Sequence, residues 1–236
     1  MQAIIMAGGA GSRLRPLTNN LPKPMVPIIN KPVLELIIRH LVKYNITDIA
    51  ITLGYMANII KEAYGSGENL GVKIKYFIEK EPLGTAGGVK NASRFIKGDF
   101  IVISGDAVTD IDIDEMYKFH KDKEAVITLA CKEVEDITGM GVLKLDDENK
   151  VIEFMEKPKE SSEKLINTGI YIMSKKALEL IPDGFYDFGR SLLPSMKEGL
   201  YAYETHNFWS DIGTLASYYM TNHFVASNPG MFGISL

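Results

Sequence analysis

The spacing of apolar residues along the first third of the chain predicts alternating strands and helices. Short apolar runs at residues 3–7 and 48–53 are typical of buried strands, and residues 72–78 alternate like a strand with one solvated face. Residues 33–44 and 56–64 carry apolar side chains at helical spacing. This strand–helix order predicts an α/β fold with a mixed, mostly parallel sheet covered by helices on both faces.

The rest of the chain continues the alternation. Thr85 is the predicted N-cap of a helix that extends to residue 96, and Asp110 or Asp112 is the predicted N-cap of a helix that extends to residue 121. The other predicted elements are strands at 100–104, 125–132, 167–171 and 200–205, a hairpin within 138–154, helices at 174–181, 186–196 and 215–226, and a tail at 228–236.

A glycine-rich segment follows the first strand. Residues 8–16 have the sequence GGAGSRLRP, in which backbone N–H groups can surround an anion and two arginines lie beside them. Five prolines between residues 16 and 32 exclude an α-helix there, and Lys23 lies between two of them. The segment fits neither the P-loop nor the dinucleotide-binding glycine motif. It predicts a phosphate site of another kind, against the alternative of a structural Gly/Pro turn.

Composition limits the classes of function. The chain has 236 residues, of which 46% are hydrophobic, enough for one α/β domain with a sizeable core or for two small domains. Its net charge of -4 disfavours nucleic acid as a partner. The single cysteine, Cys131, lies in an apolar run and is expected to be a buried thiol. One cysteine, no apolar leader and no run of membrane-spanning length predict a cytoplasmic protein that does not contact the membrane.

The glycine-rich segment carries a resemblance. Residues 8–18 (GGAGSRLRPLT) and 21–27 (LPKPMVP) resemble the signature of the sugar-1-phosphate nucleotidylyltransferases, and the similarity covers nearly the whole chain. The resemblance implies the nucleotide-diphospho-sugar transferase fold, an NTP and a sugar 1-phosphate as substrates, and Mg²⁺ as cofactor. It also implies that Arg13 and Lys23 are catalytic. The residues that it places at the nucleotide phosphates are Ala7, Gly8, Gly9, Gly11, Ser12 and Arg13.

Residues 79–88 are expected to form part of the nucleotide site. They follow a predicted strand, and ligands of open α/β sheets bind at the carboxyl ends of strands. The alternative is an ordinary strand-to-helix loop. The resemblance implies that Gly84 and Thr85 line the base pocket, with Glu81 before them. Relatives that use thymidine or uridine nucleotides often have Gln in place of this Glu81.

Two aspartates are candidate metal ligands. Asp106 follows the buried strand at 100–104 after Gly105, and Mg²⁺ prefers one or two carboxylates together with phosphate oxygens and water. Asp211 lies in the sequence WSDIGT, which matches the family's second metal-binding motif. Its alternative role is the N-cap of the last helix. The pair predicts a magnesium site.

Further motifs resemble the family's sugar-phosphate site. The resemblance implies that Gly141 approaches the sugar, Glu156 contacts a hydroxyl, Lys157 contacts the phosphate and Asn167 binds the sugar. The family usually has Tyr before the glycine, where this chain has Met140. Without the resemblance, Glu156 and Lys157 are a surface charge pair.

The motifs shared with the family do not identify the base of the NTP or the sugar of the sugar 1-phosphate. Residues 81–87, 105–112 and 208–215 most resemble bacterial mannose-1-phosphate guanylyltransferases, which implies GTP and mannose 1-phosphate as substrates. The alternatives are a glucose-1-phosphate thymidylyl- or uridylyltransferase and a non-catalytic regulatory subunit that binds nucleotide-sugar. We expect a single domain with a nucleotide-binding half at 1–110 and a sugar-phosphate half at 111–227, and the sequence leaves homo-oligomerisation open.

Overall fold

The computed structural model of the chain describes residues 1–9 and 11–234. Ala10, in the predicted phosphate segment, and Ser235 and Leu236, in the predicted tail, lie outside these residues. The strands are β1 (Gln2–Ala7), β2 (Pro27–Ile28), β3 (Lys31–Pro32), β4 (Asp48–Leu53), β5 (Lys73–Ile78), β6 (Phe100–Ser104), β7 (Ala107–Thr109), β8 (Ile127–Glu133), β9 (Gly141–Leu145), β10 (Val151–Glu156), β11 (Leu165–Met173), β12 (Leu200–Glu204) and β13 (Trp209–Asp211). The α-helices are α1 (Val33–Lys43), α2 (Ala57–Tyr64), α3 (Gly84–Asn91), α4 (Ile113–Asp122), α5 (Leu193–Ser195) and α6 (Leu215–Ser227).

The chain folds as two compact units. Unit 1 contains Met1–Glu81, Ile103–Ile111 and the chain from Asn207 onward, and unit 2 contains Pro82–Val102 and Asp112–His206. The expected halves, 1–110 and 111–227, therefore do not coincide with the units. Residues 82–102 belong to unit 2, and the chain returns to unit 1 after residue 206.

Unit 1 is built on parallel strands. β4 pairs with β1 on one side and β5 on the other, both parallel, so that Ala7 lies opposite Leu53 and Leu53 opposite Ile78. β1 and β4 are rich in buried Ile, Leu and Ala, as expected for strands covered on both faces, whereas β5 has no buried residue. The carboxyl ends of β1, β4 and β5 therefore lie level with one another. The end of β6 joins them, because the N–H of Gly105 donates to the carbonyl of Met6 at 2.8 Å.

Unit 2 is mixed. β8 pairs antiparallel with β11 and parallel with β12, and the β9–β10 hairpin pairs with β11 through Val142. The register of β11 shifts between Asn167 and Tyr171, where Gly169 has a φ of 75°. This bulge redirects the side chains of β11 at the candidate sugar residue Asn167. Together the units confirm the predicted α/β fold with a mixed sheet.

Most predicted elements are confirmed within a few residues, but two predictions are wrong, for Thr85 and for the helices after residue 173, and the alternative role of Asp211 is excluded. Thr85 is not a helix N-cap, since α3 begins at Gly84 and the hydroxyl of Thr85 bonds elsewhere. Asp211 is not the cap of α6, whose N-cap is Thr214 in a capping box with Ser217. Residues 175–180 form a 3-10 helix, and residues 188–192 a π-helical turn before the short α5, in place of two α-helices.

Other expectations on single residues are confirmed. The carboxylate of Asp112 caps α4 by accepting from the N–H of Glu115 at 2.9 Å. Cys131 is fully buried, and burial raises the pKa of its thiol to about 12. Such a thiol stays protonated and unreactive. Among the described residues, no helix is long and apolar enough to cross a bilayer.

Candidate active site

The glycine-rich segment of unit 1 leaves β1 at the level carboxyl ends of the parallel strands. Ala7, the last residue of β1, is buried, and Gly9 and Ser12 beyond it are exposed. Gly8 and Gly54 pack so closely that a Cβ on Gly54 would lie 2.9 Å from the carbonyl oxygen of Gly8. The backbone here is close-packed on the sheet side, and its free side faces solvent.

Gly11 fixes the position of Lys23. It has a φ of 61°, and a Cβ on it would lie 2.9 Å from the Cβ of Lys23. The buried Thr18 donates to the carbonyl of Gly11 at 2.9 Å and holds the turn closed. The position needs glycine both for its backbone conformation and for the space that Lys23 occupies. The lysine stem therefore lies directly against the glycine bend.

The ammonium of Lys23 binds the carboxylate of Asp106. Lys23 bonds to Oδ2, and the hydroxyl of Ser104 donates to Oδ1. Burial acts to raise the pKa of Asp106, but Lys23 and Ser104 together outweigh it and lower the pKa below its usual range. Asp106 is thus held ionised by two groups, one from β6 and one from the proline-rich segment.

Asp211 lies next to Asp106. β13 pairs antiparallel with β7 so that Asp211 faces Ala107, and the N–H of Ile212 donates to the carbonyl of Asp106 at 3.2 Å. A Cβ on Gly213 would lie 2.9 Å from Oδ2 of Asp211 and 3.4 Å from Nη2 of Arg13. This glycine leaves room for the carboxylate and the exposed guanidinium side by side.

The two aspartates influence each other electrostatically. Burial, followed by the charge of Asp106, raises the pKa of Asp211, while Lys23 and Arg13 act in the opposite direction. Two carboxylates and two cationic side chains therefore meet at this site. The carboxylates could hold a divalent cation, since two carboxylates are the donor number Mg²⁺ takes when phosphates and water complete its shell. No cluster of three or more His, Cys, Asp or Glu suited to a metal occurs among residues 1–9 and 11–234.

Gly84 and Thr85, the candidate base-pocket residues of unit 2, contact residues 184–188. A Cβ on Gly84 would lie 2.5 Å from the carbonyl oxygen of Tyr186. The hydroxyl of Thr85 donates to Oδ2 of Asp187 at 2.9 Å and accepts from the N–H of Phe188 at 2.8 Å. Thr85 thus has a structural role that the sequence does not indicate. Glu81 is exposed and belongs to unit 1.

The candidate sugar residues of unit 2 lie at the ends of β9, β10 and β11. Glu156 faces Gly141 across the hairpin, and Oε2 of Glu156 would lie 3.2 Å from a Cβ on this glycine. Lys157 follows at a φ of 51°, unusual for a non-glycine residue, with its ammonium 3.3 Å from Oε1 of Glu156. The amide of Asn167 donates to the hydroxyl of Tyr171 at 2.8 Å.

Several site residues were missed from the sequence. Ser104 is the polar end of an otherwise apolar strand, and that break in pattern is a signal for it. Asp187 and Gly189 lie far along the chain from the residues they contact, and nothing in the local sequence marks them. All the candidate residues of unit 1 except Glu81 lie along the glycine-rich segment or around the Lys23–Asp106 pair.

Comparison with known proteins identifies the family. The model of the family described as nucleotidyl transferase matches residues 2–228. The chain belongs to this family. It is 38% identical to the D-glycero-α-D-manno-heptose 1-phosphate guanylyltransferase of Campylobacter jejuni, and the match covers 97% of this chain and 100% of that one.

Longer nucleotidyl transferases are also similar. The UTP–glucose-1-phosphate uridylyltransferase of Synechocystis is 35% identical over 96% of this chain, and the mannose-1-phosphate guanylyltransferase of Mycobacterium tuberculosis is 31% identical over 91%. This chain spans only 64% and 61% of their lengths.

A solved structure agrees with the fold. The crystal structure of HddC from Yersinia pseudotuberculosis has a TM-score of 0.84 and 32% identity, covering 94% of this chain and 98% of that one. HddC has also been solved in complex with GMP-PN.

Proposed function

We propose that the protein transfers a nucleotidyl group from a nucleoside triphosphate to a sugar 1-phosphate, giving a nucleotide-sugar and pyrophosphate. One observation carries the proposal: Lys23 pairs with Asp106 beside the glycine bend, and Asp211 lies next to Asp106. These residues come from separate segments of unit 1 and form a site of paired carboxylates and cations suited to a triphosphate with a metal ion.

The chemistry needs charge neutralisation and no nucleophilic side chain. An oxygen of the sugar phosphate forms a bond to the α-phosphorus as the bond from that phosphorus to the departing pyrophosphate breaks. In unit 1, the glycine-rich backbone would donate to the phosphates, and Arg13 would neutralise the pyrophosphate. Lys23 would stabilise the charge that develops at the α-phosphate. In unit 2, Lys157 would hold the sugar's phosphate.

Asp106 and Asp211 would hold Mg²⁺, which when bound supplies positive charge to the triphosphate oxygens. Support comes from the Lys23 and Ser104 contacts that keep Asp106 ionised, and from the raised pKa of Asp211, which a bound cation would lower.

We propose GTP and mannose 1-phosphate as the first substrate pair. Residues 81–87, 105–112 and 208–215 support it, as do two relatives named as guanylyltransferases of manno-configured sugars. D-glycero-α-D-manno-heptose 1-phosphate differs from mannose 1-phosphate only beyond the ring and is the next sugar to test. UTP or dTTP with glucose 1-phosphate is the second candidate, favoured by the 35% identity to the uridylyltransferase.

The test is pyrophosphate release from each NTP with mannose, heptose, glucose and N-acetylglucosamine 1-phosphates. We expect the highest kcat/KM with GTP and a manno-configured sugar. An optimum with UTP or dTTP and glucose 1-phosphate would establish the second candidate. Release from no pair would overturn the enzyme assignment and leave a nucleotide-sugar binding subunit. The Arg13→Ala variant, purified in the same way, controls for contaminating activity.

A further inference from the structure

The π-helical turn of unit 2, Phe188–Leu192, lies against Glu156, which is expected to bind the sugar, and against Tyr171, which bonds to the second expected sugar residue, Asn167. We propose that this turn is a positioning element for the sugar 1-phosphate: Gly189 leaves the space that the carboxylate of Glu156 occupies, and Phe188 supports the ring that orients Asn167. The proposal rests on the proposed function and assigns roles to residues that neither the sequence nor the family comparison indicates.

Gly189 and Glu156 are in direct contact. A Cβ on Gly189 would lie 2.2 Å from Oε2 and 2.8 Å from the Cδ of Glu156. Gly189 does not have a positive φ, so its backbone accepts any L-residue. Its lack of a side chain is therefore needed for the carboxylate and not for the turn. Gly141 borders the same carboxylate, since a Cβ on it would lie 3.2 Å from Oε2, so the position of this oxygen depends on two glycines.

Phe188 acts on the second sugar residue through Tyr171. The two rings stack with centroids 4.5 Å apart and planes 10° from parallel. The buried hydroxyl of Tyr171 accepts from Nδ2 of Asn167 at 2.8 Å, and Oδ1 of Asn167 accepts from the N–H of Gly169 at 3.1 Å. The amide orientation is thereby fixed, with one N–H and one lone pair left for a ligand.

The turn is anchored to the loop that carries the candidate base residues. Oδ1 of Asp187 caps the turn by accepting from the N–H of Arg190 at 3.0 Å, and Oδ2 accepts from Thr85. Thr85 also holds the first N–H of the turn, that of Phe188. Residues 187–189 therefore contact Thr85 of the candidate base loop, the carboxylate of Glu156, and the Tyr171 ring that bonds to Asn167, all within unit 2. Such one-turn π segments recur at functional sites.

The test is the Gly189→Ala variant compared with Gly98→Ala. Gly98, also in unit 2, has ordinary φ and nothing within 4 Å of an added Cβ. In Gly189→Ala the three atoms nearest to the added methyl all belong to the carboxylate end of the Glu156 side chain, so we expect the chain to fold while the carboxylate moves. We expect its KM for the sugar 1-phosphate to rise by about 10- to 100-fold, as loss of a charged hydrogen bond would cause, with the KM for the NTP unchanged. Gly98→Ala keeps wild-type values for both.

A double-mutant cycle separates positioning from general damage. If Gly189 acts through Glu156, adding Gly189→Ala to Glu156→Ala changes the KM for the sugar 1-phosphate no further. Additive effects, or an unchanged KM in Gly189→Ala, overturn the proposal.

A crystal structure of substrate-free Gly189→Ala gives a readout independent of turnover. A carboxylate of Glu156 left in its wild-type place overturns the positioning role even if the wild-type enzyme is active. The carboxylate is displaced in the variant but the wild type releases no pyrophosphate: this result overturns the proposed function and the role in binding sugar. The contact by which Gly189 positions Glu156 would still be established.

Discussion

At the scale of single residues, the positions of the cations Arg13 and Lys23 are set by the glycines and carboxylates that they contact. Lys23 lies against Gly11 and pairs with Asp106, and Arg13 lies beside Gly213 and Asp211. We expect Arg13→Ala or Lys23→Ala to lower kcat by a factor of about 100 to 1000, because each removes a preorganised charge from the transition state. Steady-state pyrophosphate release measures this.

Arg15 provides the matched control. It is an exposed arginine of the same segment, two residues from Arg13, and Arg15→Ala should leave kcat within about two-fold, as surface substitutions usually do. Unchanged turnover in both the Arg13 and the Lys23 variants would contradict the assignment of this site.

Thr85 shows how a distant partner overrides a local pattern. Its place before a helical segment predicted an N-cap, but Asp187, 102 residues away, takes its hydroxyl instead. Thr85→Val keeps the shape and removes the acceptor of the part-buried N–H of Phe188, so we expect a loss of about 1 kcal/mol in the free energy of unfolding. Thr85→Ser should restore most of it. Urea unfolding distinguishes them, and equal stability of the Val variant and the wild type would refute this role.

At the scale of elements, α4 is joined to β8 by a neutral histidine. His120 is buried and bonds to the hydroxyl of Thr128 at 2.9 Å, and its ring stacks on Tyr117. Burial, aided by Lys121 and opposed by Asp99, lowers the pKa of His120 from 6.5 to about 4. In the unfolded chain the same imidazole takes up a proton below its ordinary pKa, so the unfolded state binds more protons between these two values and stability falls as the pH falls.

The expected size follows from the shift. Between pH 7 and pH 5 this one group should remove about 2 kcal/mol from the free energy of unfolding. His120→Gln keeps a polar partner for Thr128 but does not titrate. Between pH 7 and pH 5 its free energy of unfolding should therefore fall by about 2 kcal/mol less than that of the wild type. Urea unfolding of both proteins at the two pH values tests this, and equal losses would show that His120 does not contribute.

Which elements could be predicted depended on how distinctive their periodicity was. Period-2 alternation and short apolar runs identified the longer strands, and the β9–β10 hairpin was marked by its polar turn. The strands of two or three residues, β2, β3, β7 and β13, are too short to show such a pattern and were not predicted. Residues 174–181 and 186–196 carry apolar side chains three to four apart, a spacing that 3-10, α and π turns share. The choice among them was made by contacts that the local sequence does not contain, such as the bond from the N–H of Phe188 to the hydroxyl of Thr85.

At the scale of the whole molecule, the chain passes from one unit to the other at residues 81–82, 102–103, 111–112 and 206–207. The order of motifs suggested one boundary, between residues 110 and 111, and a single boundary cannot describe a chain that crosses between the units four times. The residues at the unit 1 site could nevertheless be predicted, because each carboxylate or cation at the end of a predicted strand can be recognised in the sequence. Their pairing was not: Lys23 and Asp106 are 83 residues apart, and only the folded sheet shows that they meet.

This long-range pairing predicts how substrate and stability are linked. An NTP that binds the folded state across Lys23, Asp106 and Asp211 should stabilise it by about 2.7 kcal/mol at 100 times its Kd, which for a chain of this size raises Tm by roughly 5–10 °C. If the two aspartates hold Mg²⁺, the increase requires the metal and disappears with EDTA. In Asp211→Asn the metal dependence should be weak, because one of two carboxylate ligands is lost. Asp112→Asn, which keeps a capping side chain on α4, should behave as wild type. An NTP-induced rise in Tm that is equal with Mg²⁺ and with EDTA would show that nucleotide binding here does not depend on a metal at these carboxylates.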